Sequence, residues 1–459
     1  MPDIYDVMDA IVATGGEAYI VGGAARDIIL THHTIRDMDI EVFGLETEDL
    51  VHILSKFGKV DLVGASFGVY LVKGIEFNNK PVEFALPRRR EIRIGNSHTD
   101  FKVEIDPYMS FEDASRRRDL TINSLGIRHS DRKTIDYHGA RYDWQNKIAR
   151  EVDPNTFGDD DLRTLRAAQF IARFGLKPHP SLVACATHTS QKNISHERIC
   201  AEWDKLLMLG VKPSLGVEFL GLCGWLLTNY YELWSQMWIR QNPEWHPEIR
   251  CLDHTLMVVD KLSNISMNSY DWQRALMYGA LVHDCGKIDH TFFHKEKKKI
   301  VSYGHAKSEL VEDLLEKITC EKKLYERALW IARTHMDKVG LSNSGKSQTF
   351  RKFARKAGSP EACETINMMF WADDQISDGD WNCCWDNSSA PMTKKLKAAS
   401  DFVYAKDGSI RQPLTGKQIM NIFQIKQGPE VGKVMKRSRE LFDDGKTEEE
   451  IVEIIRKER

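Results

Sequence analysis

The sequence predicts an α+β protein in which a small α/β head precedes a mainly α-helical remainder. Its 459 residues would make about three domains at ~150 residues each, and 42% of them are hydrophobic, as in chains that bury a core. Short β-rich runs bounded by turn residues predict four strands in the head, at 18–21, 39–43, 69–72 and 82–86. From Asp159 onward, apolar residues recur at the three- and four-residue steps of a helix: Leu162, Leu165, Ala168, Ile171 and Phe174.

The charge balance and the apolar content exclude several classes of protein. Lys and Arg number 64 against 67 Asp and Glu, a net charge of −3, so neither a uniformly cationic coat protein nor a disordered acidic tail is expected. A polyanionic partner must therefore be met by local basic patches. No apolar stretch approaches the ~20 residues of a membrane helix, and no Lys or Arg precedes Arg26 as a secretory signal would require. We therefore expect a cytoplasmic protein whose nine cysteines are reduced.

A glycine pair follows the first predicted strand. Gly22 and Gly23 separate the strand at 18–21 from Arg26 and a helical run. Such a turn lets the backbone approach a phosphate closely, and the helix N-terminus adds N–H donors. The alternative is a turn that needs glycine only for steric reasons, and the pair alone does not decide between the two.

Two aspartates open the second predicted strand. Asp37 and Asp39 are two residues apart, so both carboxylates point to one face of the strand. Like charges at that distance favour a bridging cation, and hard oxygen ligands suit Mg²⁺, which also binds substrate phosphates. Glu83, in the predicted strand at 82–86, is a candidate third ligand. Two such ions can assist an in-line phosphoryl displacement, whereas the alternative is that the aspartates are turn and cap residues.

Five ordered motifs resemble those of the class II CCA-adding enzymes, which are bacterial-type tRNA nucleotidyltransferases, and of their poly(A) polymerase relatives. Along the chain these are Gly22-Gly23-x-x-Arg26-Asp27, Asp37-x-Asp39, Arg117-Arg118-Asp119-x-x-x-Asn123, Asp159-Asp160-x-x-Arg163-x-x-Arg166 and Glu197-Arg198-Ile199-x-x-Glu202. The resemblance covers about the first 210 residues and, with the helical parts described below, most of the chain.

This resemblance implies a head with a polymerase-β-like mixed sheet, followed by helical neck, body and tail domains. The expected divisions are 1–150 for the head, 151–242 for the neck, 243–381 for an HD-type body and 382–459 for the tail. The implied reaction is template-independent addition of CCA to the tRNA 3′ end from CTP and ATP, with Mg²⁺ at Asp37 and Asp39 and release of pyrophosphate. Arg88–Arg90 and the polar stretch up to Asp113 resemble the family's flexible loop.

By the same resemblance, Asp160 and Arg163 would read the base. We expect them three apart on one helix, where a carboxylate that accepts and a guanidinium that donates match the amino group and ring acceptor of cytosine or adenine. Guanine or uracil would leave buried groups unpaired, at about 1–3 kcal/mol each. The alternative is a helical salt bridge worth only ~0.3–0.5 kcal/mol.

Further nucleotide contacts are implied at Arg118, Asp119, Asn123 and Arg166. Asp119 and Asn123 are four apart, which predicts one helical face, and Arg198 and Glu202 would brace the nucleotide-binding helix. The chain departs from the family pattern in its outer positions: Asp159 replaces the usual Glu, Asp161 a frequent Pro and Gln169 a common Arg.

Histidines and aspartates in the later region resemble an HD-type phosphohydrolase site. Imidazole suits transition metals and carboxylate suits Mg²⁺ or Mn²⁺, so one or two ions could activate water there, with Mn²⁺ or Ni²⁺ as candidates. The resemblance implies His254, His283, Asp284 and Asp373 as primary ligands, His305 and His335 as second-site ligands and Lys287 as a phosphate contact. Asp374 is the alternative to Asp373, and satisfied structural histidines are the alternative to a metal site.

The last part of the chain contains Pro413-Leu-Thr-Gly416-Lys417 and Gly428-Pro429-Glu-Val-Gly432-Lys433, which resemble the family's tRNA-binding tail. Gly-Pro at a helix start exposes N–H groups to a phosphate, although a simple capped helix fits as well. For the whole chain, the alternatives to CCA addition are a poly(A) polymerase, a CC-only or A-only enzyme, and an HD-type hydrolase with an inactive head. A non-catalytic RNA-binding protein is disfavoured because binding alone has no use for paired carboxylates near phosphate.

Overall fold

A computed structural model describes residues 3–31, 34–35, 37–63, 68–93, 101–377 and 391–459. The chain forms two compact units, Met1–Tyr231 and Glu232–Arg459. The finer four-domain division stays a prediction, and its boundary at 381/382 lies outside the described residues. Among the described residues, no helix combines the length and the apolar character that crossing a bilayer requires.

The first unit contains the predicted mixed sheet. Seven strands lie in the order β3-β4-β5-β2-β1-β8-β9; β2 pairs with β5 in parallel, and the other pairings are antiparallel. Two further strand pairs, β6 with β7 and β10 with β11, lie outside it. The strands are β1 Glu17–Val21, β2 Asp39–Phe43, β3 Val60–Val63, β4 Val69–Phe77, β5 Lys80–Ala85, β6 Arg88–Arg93, β7 Phe101–Ile105, β8 Gly126–Arg128, β9 Thr134–Ile135, β10 Ile148–Ala149 and β11 Lys177–Pro178.

Alternation along β2 separates the core of the head from its polar face. Ile40 and Val42 are fully buried against the helices that cover one side of the sheet. Asp39 and Glu41 therefore point to the opposite side, because successive strand residues face opposite ways. This alternation places the acidic side chains of β2 together on the side away from the apolar core.

Helices complete the first unit. The apolar residues that predicted a helix after Asp159 are all buried on α6, which is closed by Gly175 in the left-handed conformation (φ +62°). The helices are α1 Ile4–Ala13, α2 Gly22–Arg26, α3 Thr47–Ser55, α4 Phe111–Arg116, α5 Ala140–Gln145, α6 Leu162–Phe174, α7 Pro180–Thr187, α8 His196–Leu209, α9 Pro213–Leu222, α10 Trp225–Asn229 and α11 Tyr231–Trp234, the last at the junction of the units.

The predicted loop between Arg88 and Asp113 is largely structured. Strands β6 and β7 form an antiparallel ribbon, and α4 begins at Phe111. Arg88–Arg93 and Phe101–Ile105 therefore have regular structure, because the two strands satisfy each other's backbone groups. That this region is flexible stays a prediction. Residues 94–100, which connect the two strands, lie outside the described residues.

The second unit is mainly helical, with one β-hairpin. Its tail helices enclose a small core of their own that includes Ile419, Val434 and Ile451. Gly428 and Pro429 begin α22 as predicted. The elements are α12 Cys251–Ser263, α13 Tyr270–Val282, α14 Lys287–His290, β12 Thr291–His294, β13 Lys299–Ser302, α15 Leu310–Ile318, α16 Lys322–Thr334, α17 Asp337–Ser344, α18 Ser347–Ala357, α19 Pro360–Ser377, α20 Pro391–Val403, α21 Gly416–Phe423, α22 Pro429–Asp443 and α23 Glu448–Glu458.

Candidate active sites

A cleft of about 480 Å³ in the first unit brings together almost all the residues predicted for nucleotidyl transfer. Glu83 is exposed and does not belong to its lining, although its Cα pairs with that of Asp39 across β2 and β5. The predicted residues that line the cleft are Gly22, Gly23, Arg26, Asp37, Asp39, Arg118, Asp119, Asn123, Asp160, Arg163 and Arg166.

The glycine turn places main chain without a side chain next to the carboxylate of Asp39. Gly22 has φ +62°, which favours glycine, and a Cβ there would lie 3.2 Å from Oδ2 of Asp39 and 3.6 Å from Nη1 of Arg118. A side chain at this position would therefore crowd the polar end of the cleft. Helix α2 starts at the same residue, so its first N–H groups lie where strand β1 ends.

The paired aspartates differ in environment. The side chain of Asp37 is 64% exposed and lies 2.5 Å from Nζ of Lys80. Burial, followed by the negative charge of Glu83, raises the pKa of Asp39 to about 6, and Arg118 opposes that shift. A divalent ion would favour the ionised form of this partly buried carboxylate, and the neighbouring carboxylates of Asp37 and Glu83 add oxygen atoms that suit such an ion.

Glu41 is a polar residue of this site that the sequence analysis missed. It is buried at 3% exposure, and its Oε2 accepts from Nη2 of Arg118 at 3.0 Å, while Nη2 of Arg117 lies 3.9 Å from Oε1. The signal was present, because Glu41 continues the two-residue spacing of Asp37 and Asp39. Glu41 thus holds Arg118 beside the glycine turn and Asp39.

A chain of hydrogen bonds crosses the floor of the cleft. Nη1 of Arg26 donates to Oδ1 of Asn123 at 2.7 Å, and Nδ2 of Asn123 donates to Oδ1 of Asp119 at 2.9 Å. Nε of Arg166 donates to Oδ2 of Asp119 at 2.7 Å. Burial alone would raise the pKa of Asp119, but Arg166 and the hydrogen bonds to the carboxylate lower it to about 2. Asp119 is therefore ionised throughout the physiological range.

The local backbone of this network differs from the prediction. Asp119 and Asn123 do not share an α-helical face, because only Thr121–Asn123 forms a 3₁₀ turn after an extended Leu120. The two side chains nevertheless meet, and the N–H of Leu120 occupies the remaining capacity of Oδ1 of Asp119. The carboxylate of Asp119 thus competes with helix formation by accepting from the neighbouring N–H of Leu120.

Asp160 and Arg163 both line the cleft, but they are not on one helix as predicted. Asp160 is extended (φ −129°, ψ 108°), and its Oδ1 accepts from the N–H of Leu162 at 3.1 Å, where α6 begins. Oδ2 of Asp160 accepts from Nη2 of Arg198 at 2.8 Å, so Arg198 does contact the region that it was predicted to brace. The predicted Asp160–Arg163 helical pair was wrong because the carboxylate binds the free backbone donor at the helix start.

Arg163 is held by backbone carbonyls. Its Nη2 donates to the carbonyl of Arg117 at 2.7 Å, and Nη1 donates to that of Thr156. A guanidinium has five donors, and each carboxylate oxygen can accept more than once, so both Arg163 and Asp160 keep capacity for a ligand. Gln169, one of the departures from the family pattern, also lines the cleft, is 2% exposed, and has a buried Oε1 with no partner.

A second cluster of titratable side chains lies inside the second unit. The six predicted metal ligands, His254, His283, Asp284, His305, His335 and Asp373, are all buried, and each belongs to one of two groups whose ligand atoms lie within 4.8 Å of one another. His254, His283 and Asp373 form one group, and Asp284, His305 and His335 form the other. Asp284 also lies 3.3 Å from Nε2 of His283, so it stands next to both groups.

The histidine tautomers leave ring nitrogens turned toward one another. Nδ1 of His283, His305 and His335 each faces a main-chain carbonyl, of Ala280, Ser302 and Ala332 respectively. A donating Nδ1–H makes Nε2 an acceptor in a neutral ring, and Nε2 of His305 and His335 are 3.0 Å apart. Burial, followed by His283 and His305, holds the pKa of His335 well below its usual value. Adjacent lone pairs beside a carboxylate form a donor set that fits a transition-metal ion.

Two partners of this cluster were not predicted from the sequence. Oε1 of Glu248 lies 2.8 Å from Nδ1 of His254 and 2.9 Å from Nδ1 of His246. Lys338 donates to Oδ2 of Asp373 at 2.8 Å and to Oδ1 of Asp374 at 2.7 Å. His246 and Glu248 follow the proline interruption of the helical pattern, and nothing in their spacing distinguishes them from loop residues. Asp373 rather than Asp374 contacts His254, at 3.0 Å.

The mixed sheet, with its glycine turn and paired carboxylates facing an arginine-rich cleft, defines a nucleotidyltransferase head. Residues 18–150 match the Poly A polymerase head domain. Over 367 residues the chain is 30% identical to the multifunctional CCA protein of Aliivibrio salmonicida strain LFI1238, covering 78% of this chain and 84% of that protein. The chain therefore belongs to the CCA-adding enzymes, which are tRNA nucleotidyltransferases.

Solved structures share the fold. The CCA-adding enzyme of Bacillus stearothermophilus in complex with CTP aligns with a TM-score of 0.58 at 20% identity, over 94% of this chain and 90% of that one. The Thermotoga maritima CCA-adding enzyme complexed with tRNA aligns with a TM-score of 0.62 at 16% identity, over 98% of this chain and 93% of that one. The α+β architecture that the sequence predicted is thereby confirmed.

Proposed function

We propose that this protein adds CCA to the 3′ end of tRNA from CTP and ATP by nucleotidyl transfer, in the cytoplasm. The observation that carries the proposal is the single cleft in which the glycine turn, the paired aspartates and the Asp160–Arg166 segment meet. Solved structures with the same fold include CCA-adding enzymes in complex with CTP and with tRNA, which is consistent with these substrates. Arg26, Arg118 and Arg166 line this cleft and provide cations for a triphosphate.

Asp37 and Asp39 would hold Mg²⁺, with Glu83 as a candidate third ligand. The all-oxygen donor set fits this ion, and so does a carboxylate whose pKa is raised to about 6 by burial and by the neighbouring charge of Glu83. Mg²⁺ supplies Lewis-acid stabilisation of the charge that develops in phosphoryl transfer. The glycine turn would take the triphosphate against backbone N–H groups, and Arg118, held by Glu41, would face it.

Base selection would come from Asp160 and Arg163. Arg198 and the carbonyls of Arg117 and Thr156 hold these side chains in place before a nucleotide arrives. Preorganised groups of this kind reject a base that leaves them unpaired. Cytosine and adenine each offer an amino donor beside an acceptor, which matches a carboxylate beside a guanidinium.

The reaction is tested by incubating tRNA that lacks CCA with CTP alone, ATP alone and both nucleotides, followed by sequencing of the products. The proposal predicts one complete CCA end when both are present and a CC end with CTP alone. A long A tail would instead identify a poly(A) polymerase, and addition restricted to CC or to A would identify a partial activity.

Replacing Asp160 with alanine should weaken selection of CTP over UTP. One lost hydrogen-bonding group is worth about 1–3 kcal/mol, so the ratio of kcat/KM values for CTP and UTP should fall roughly 10- to 100-fold. Single-turnover incorporation on tRNA lacking CCA measures that ratio. Asp159→Asn is the matched control, because this neighbouring carboxylate is exposed on the preceding 3₁₀ turn. An unchanged ratio in Asp160→Ala would contradict the base-reading role.

We also propose a metal-dependent phosphohydrolase site in the second unit. The buried histidine and aspartate groups support it, since their donor atoms suit Mn²⁺ or Ni²⁺. Such an ion supplies activated water for attack on a phosphoester. Lys287, whose Nζ lies 2.6 Å from Oδ2 of Asp284, would place a positive charge beside the substrate phosphate.

Glu248→Gln should weaken metal binding at this second site. The carboxylate lies against Nδ1 of His254, and a carboxylate in that position fixes the tautomer and raises the basicity of a metal-binding imidazole. The expected loss of Mn²⁺ affinity is about 10- to 100-fold, measured by calorimetry on the full chain. Glu244→Gln serves as control because Glu244 is exposed. Equal affinities for the Glu248→Gln variant and wild type would show that Glu248 does not orient the ligand.

The tail would contact the tRNA backbone. Thr415, Gly416, Lys417, Gly428 and Gly432 line an open cavity of about 610 Å³. The N-termini of α21 and α22 both border it. Thr415 and Gln418 form a capping box on α21, whereas Gly428 gives α22 no side-chain cap, so the first N–H groups of α22 favour an anion. This tail contact rests on the resemblance to the family together with that geometry.

A further inference from the structure

The hairpin of β12 and β13 exposes aromatic rings and lysines together. Phe292, His294 and Tyr303 lie with ring centroids 6.3–6.5 Å apart, and Phe292 and Tyr303 are 51% and 54% exposed. Nζ of Lys297 lies 2.6 Å from the hydroxyl of Tyr303 and 5.0 Å from the centre of its ring. We call this set, Phe292, His294, Lys297 and Tyr303, the aromatic–lysine face.

The face is attached directly to the second cluster. Helix α14, which contains Lys287, leads into β12, and β13 leads through Tyr303 to His305. The segments before β12 and after β13 lie in close contact, because a Cβ added at Gly286 would overlap the main-chain oxygen of His305. Gly286 is two residues from Asp284, so short stretches of chain join the hairpin to the cluster on both sides, at Asp284 before β12 and at His305 after β13.

The chemistry of the face matches unpaired RNA. Exposed rings stack on bases regardless of sequence, and lysines beside them neutralise phosphates. Lys295, Lys297 and Lys298 are exposed at the hairpin tip against one acidic residue, Glu296, so the tip is locally cationic on a chain with a net charge of −3. The structure places the exposed rings of Phe292 and Tyr303 beside these lysines.

We propose that the aromatic–lysine face binds single-stranded RNA and presents its phosphoester to the histidine and aspartate cluster. This inference names the substrate class of the phosphohydrolase site and rests on that proposed function. Hydrolysis would add the water oxygen to phosphorus, break the bond from phosphorus to the ribose oxygen, and leave a proton on the ribose hydroxyl.

The test uses the full chain and a twelve-residue oligo(U) labelled with fluorescein, because the nucleotide cleft is proposed to read C and A. Binding of oligo(U), measured by anisotropy without turnover, should weaken about 10- to 100-fold in Phe292→Ala/Tyr303→Ala. Lys297→Ser should weaken it less and reduce the slope of log K against log salt by about 0.7, as expected for one lost phosphate contact. Phe293→Ala is the matched control: Phe293 is 61% exposed on the same strand, and strand alternation turns it to the opposite face.

Photocrosslinking with 5-iodouridine in the same oligo(U) localises the contact, and the proposal expects the label on Phe292 or Tyr303. Wild-type affinity in both Phe292→Ala/Tyr303→Ala and Lys297→Ser would overturn it, as would equal losses in the double variant and Phe293→Ala. Sedimentation tests whether the face is instead an interface between copies of this chain. Loss of self-association in Phe292→Ala/Tyr303→Ala with unchanged oligo(U) binding would identify such an interface and would overturn the RNA-binding proposal. Lys297→Ser keeps the test valid if the double variant does not fold.

Hydrolysis of 4-nitrophenyl phosphate with Mn²⁺ separates the two proposals. A wild-type protein without that activity would contradict the phosphohydrolase function, and oligo(U) binding would still decide whether the face is an RNA site. A wild-type protein that hydrolyses the small ester but does not bind oligo(U) would contradict RNA binding by the aromatic–lysine face and would still support the phosphohydrolase function.

Discussion

Asp39→Asn should abolish nucleotide addition while leaving tRNA binding intact. Asp39 is the more enclosed of the two carboxylates proposed to hold Mg²⁺, and its Cα pairs with that of Glu83. A Lewis-acid ion contributes several kcal/mol to phosphoryl transfer, so losing it should lower kcat by about 10²- to 10⁴-fold. Single-turnover CTP incorporation measures the loss, and filter binding measures the affinity for tRNA. Retention of more than about a tenth of the wild-type rate would contradict the assignment.

The Asp39→Asn substitution should lower kcat but raise thermal stability. The two measurements therefore distinguish a loss of chemistry from a loss of folding. Because the pKa of Asp39 is raised to about 6, protonation stabilises the native state, and that stability is lost as pH rises from about 4 to about 6. Asparagine removes the uncompensated charge, so in EDTA above pH 6 the Asp39→Asn variant should have a higher Tm than wild type. The difference should shrink below pH 4. Asp61→Asn, at an exposed aspartate paired with Lys59, should change neither Tm nor kcat appreciably.

Asp284→Asn should remove metal from the second unit and abolish phosphoester hydrolysis. Its carboxylate lies 3.2 Å from Nε2 of His305, 3.3 Å from Nε2 of His283 and 2.6 Å from Nζ of Lys287. Burial alone would raise the pKa of Asp284, but the neighbouring His283 and Lys287 hold it well below its usual value, so the carboxylate is ionised and available to a metal. Replacing a ligand should cost more than the roughly 10- to 100-fold of an orienting partner. Calorimetry with Mn²⁺ and hydrolysis of 4-nitrophenyl phosphate measure the two losses.

CCA addition by the Asp284→Asn variant separates the two sites. The nucleotidyl-transfer cleft lies wholly in the first unit and the histidine cluster wholly in the second. We therefore expect addition to continue when hydrolysis is lost, and the reverse for Asp39→Asn. Asp289→Asn, at an exposed position five residues along, is the control for hydrolysis. Full stoichiometric Mn²⁺ binding by Asp284→Asn would show that the carboxylate is not a ligand.

The elements of the head followed from the sequence because local patterns determine them. The run at 39–43 alternates between core and polar face, and β2 has those bounds. The other predicted strands differ in length, as at Val69–Phe77, because pairing with β5 continues past a register shift after Leu71. Pairing partners are set by distant residues, so strand ends are not readable from one run.

In the histidine cluster, too, the sequence predicted some residues of the site and missed others. Its six ligand candidates were predicted from motifs that resemble a family, and they do lie together in the second unit. Lys338 was missed because its partner Asp373 lies 35 residues away in the chain. Glu248 was missed because it lies in an irregular segment before α12, where spacing along the chain does not indicate that its carboxylate meets His254. The exposed rings of the hairpin were missed because an alternating strand does not reveal which of its faces is covered.

The sequence by itself determined the residue types available for chemistry, the glycine pair where β1 ends and α2 begins, and the change from an α/β head to helices. These follow from backbone periodicity and side-chain chemistry, which act within a few residues. That Asp37 and Asp39 share one face stays a prediction, because β2 begins at Asp39. Only the tertiary structure decided that Asp160 pairs with Arg198 rather than Arg163, that Glu41 holds Arg118, and that Asp284 stands next to both histidine groups. The contacts of Asp160 with Arg198 and of Glu41 with Arg118 join residues far apart in the chain, as do those of Asp284 with His305 and His335. Buried polar groups settle on whichever partner the packing of the whole unit brings within hydrogen-bonding distance.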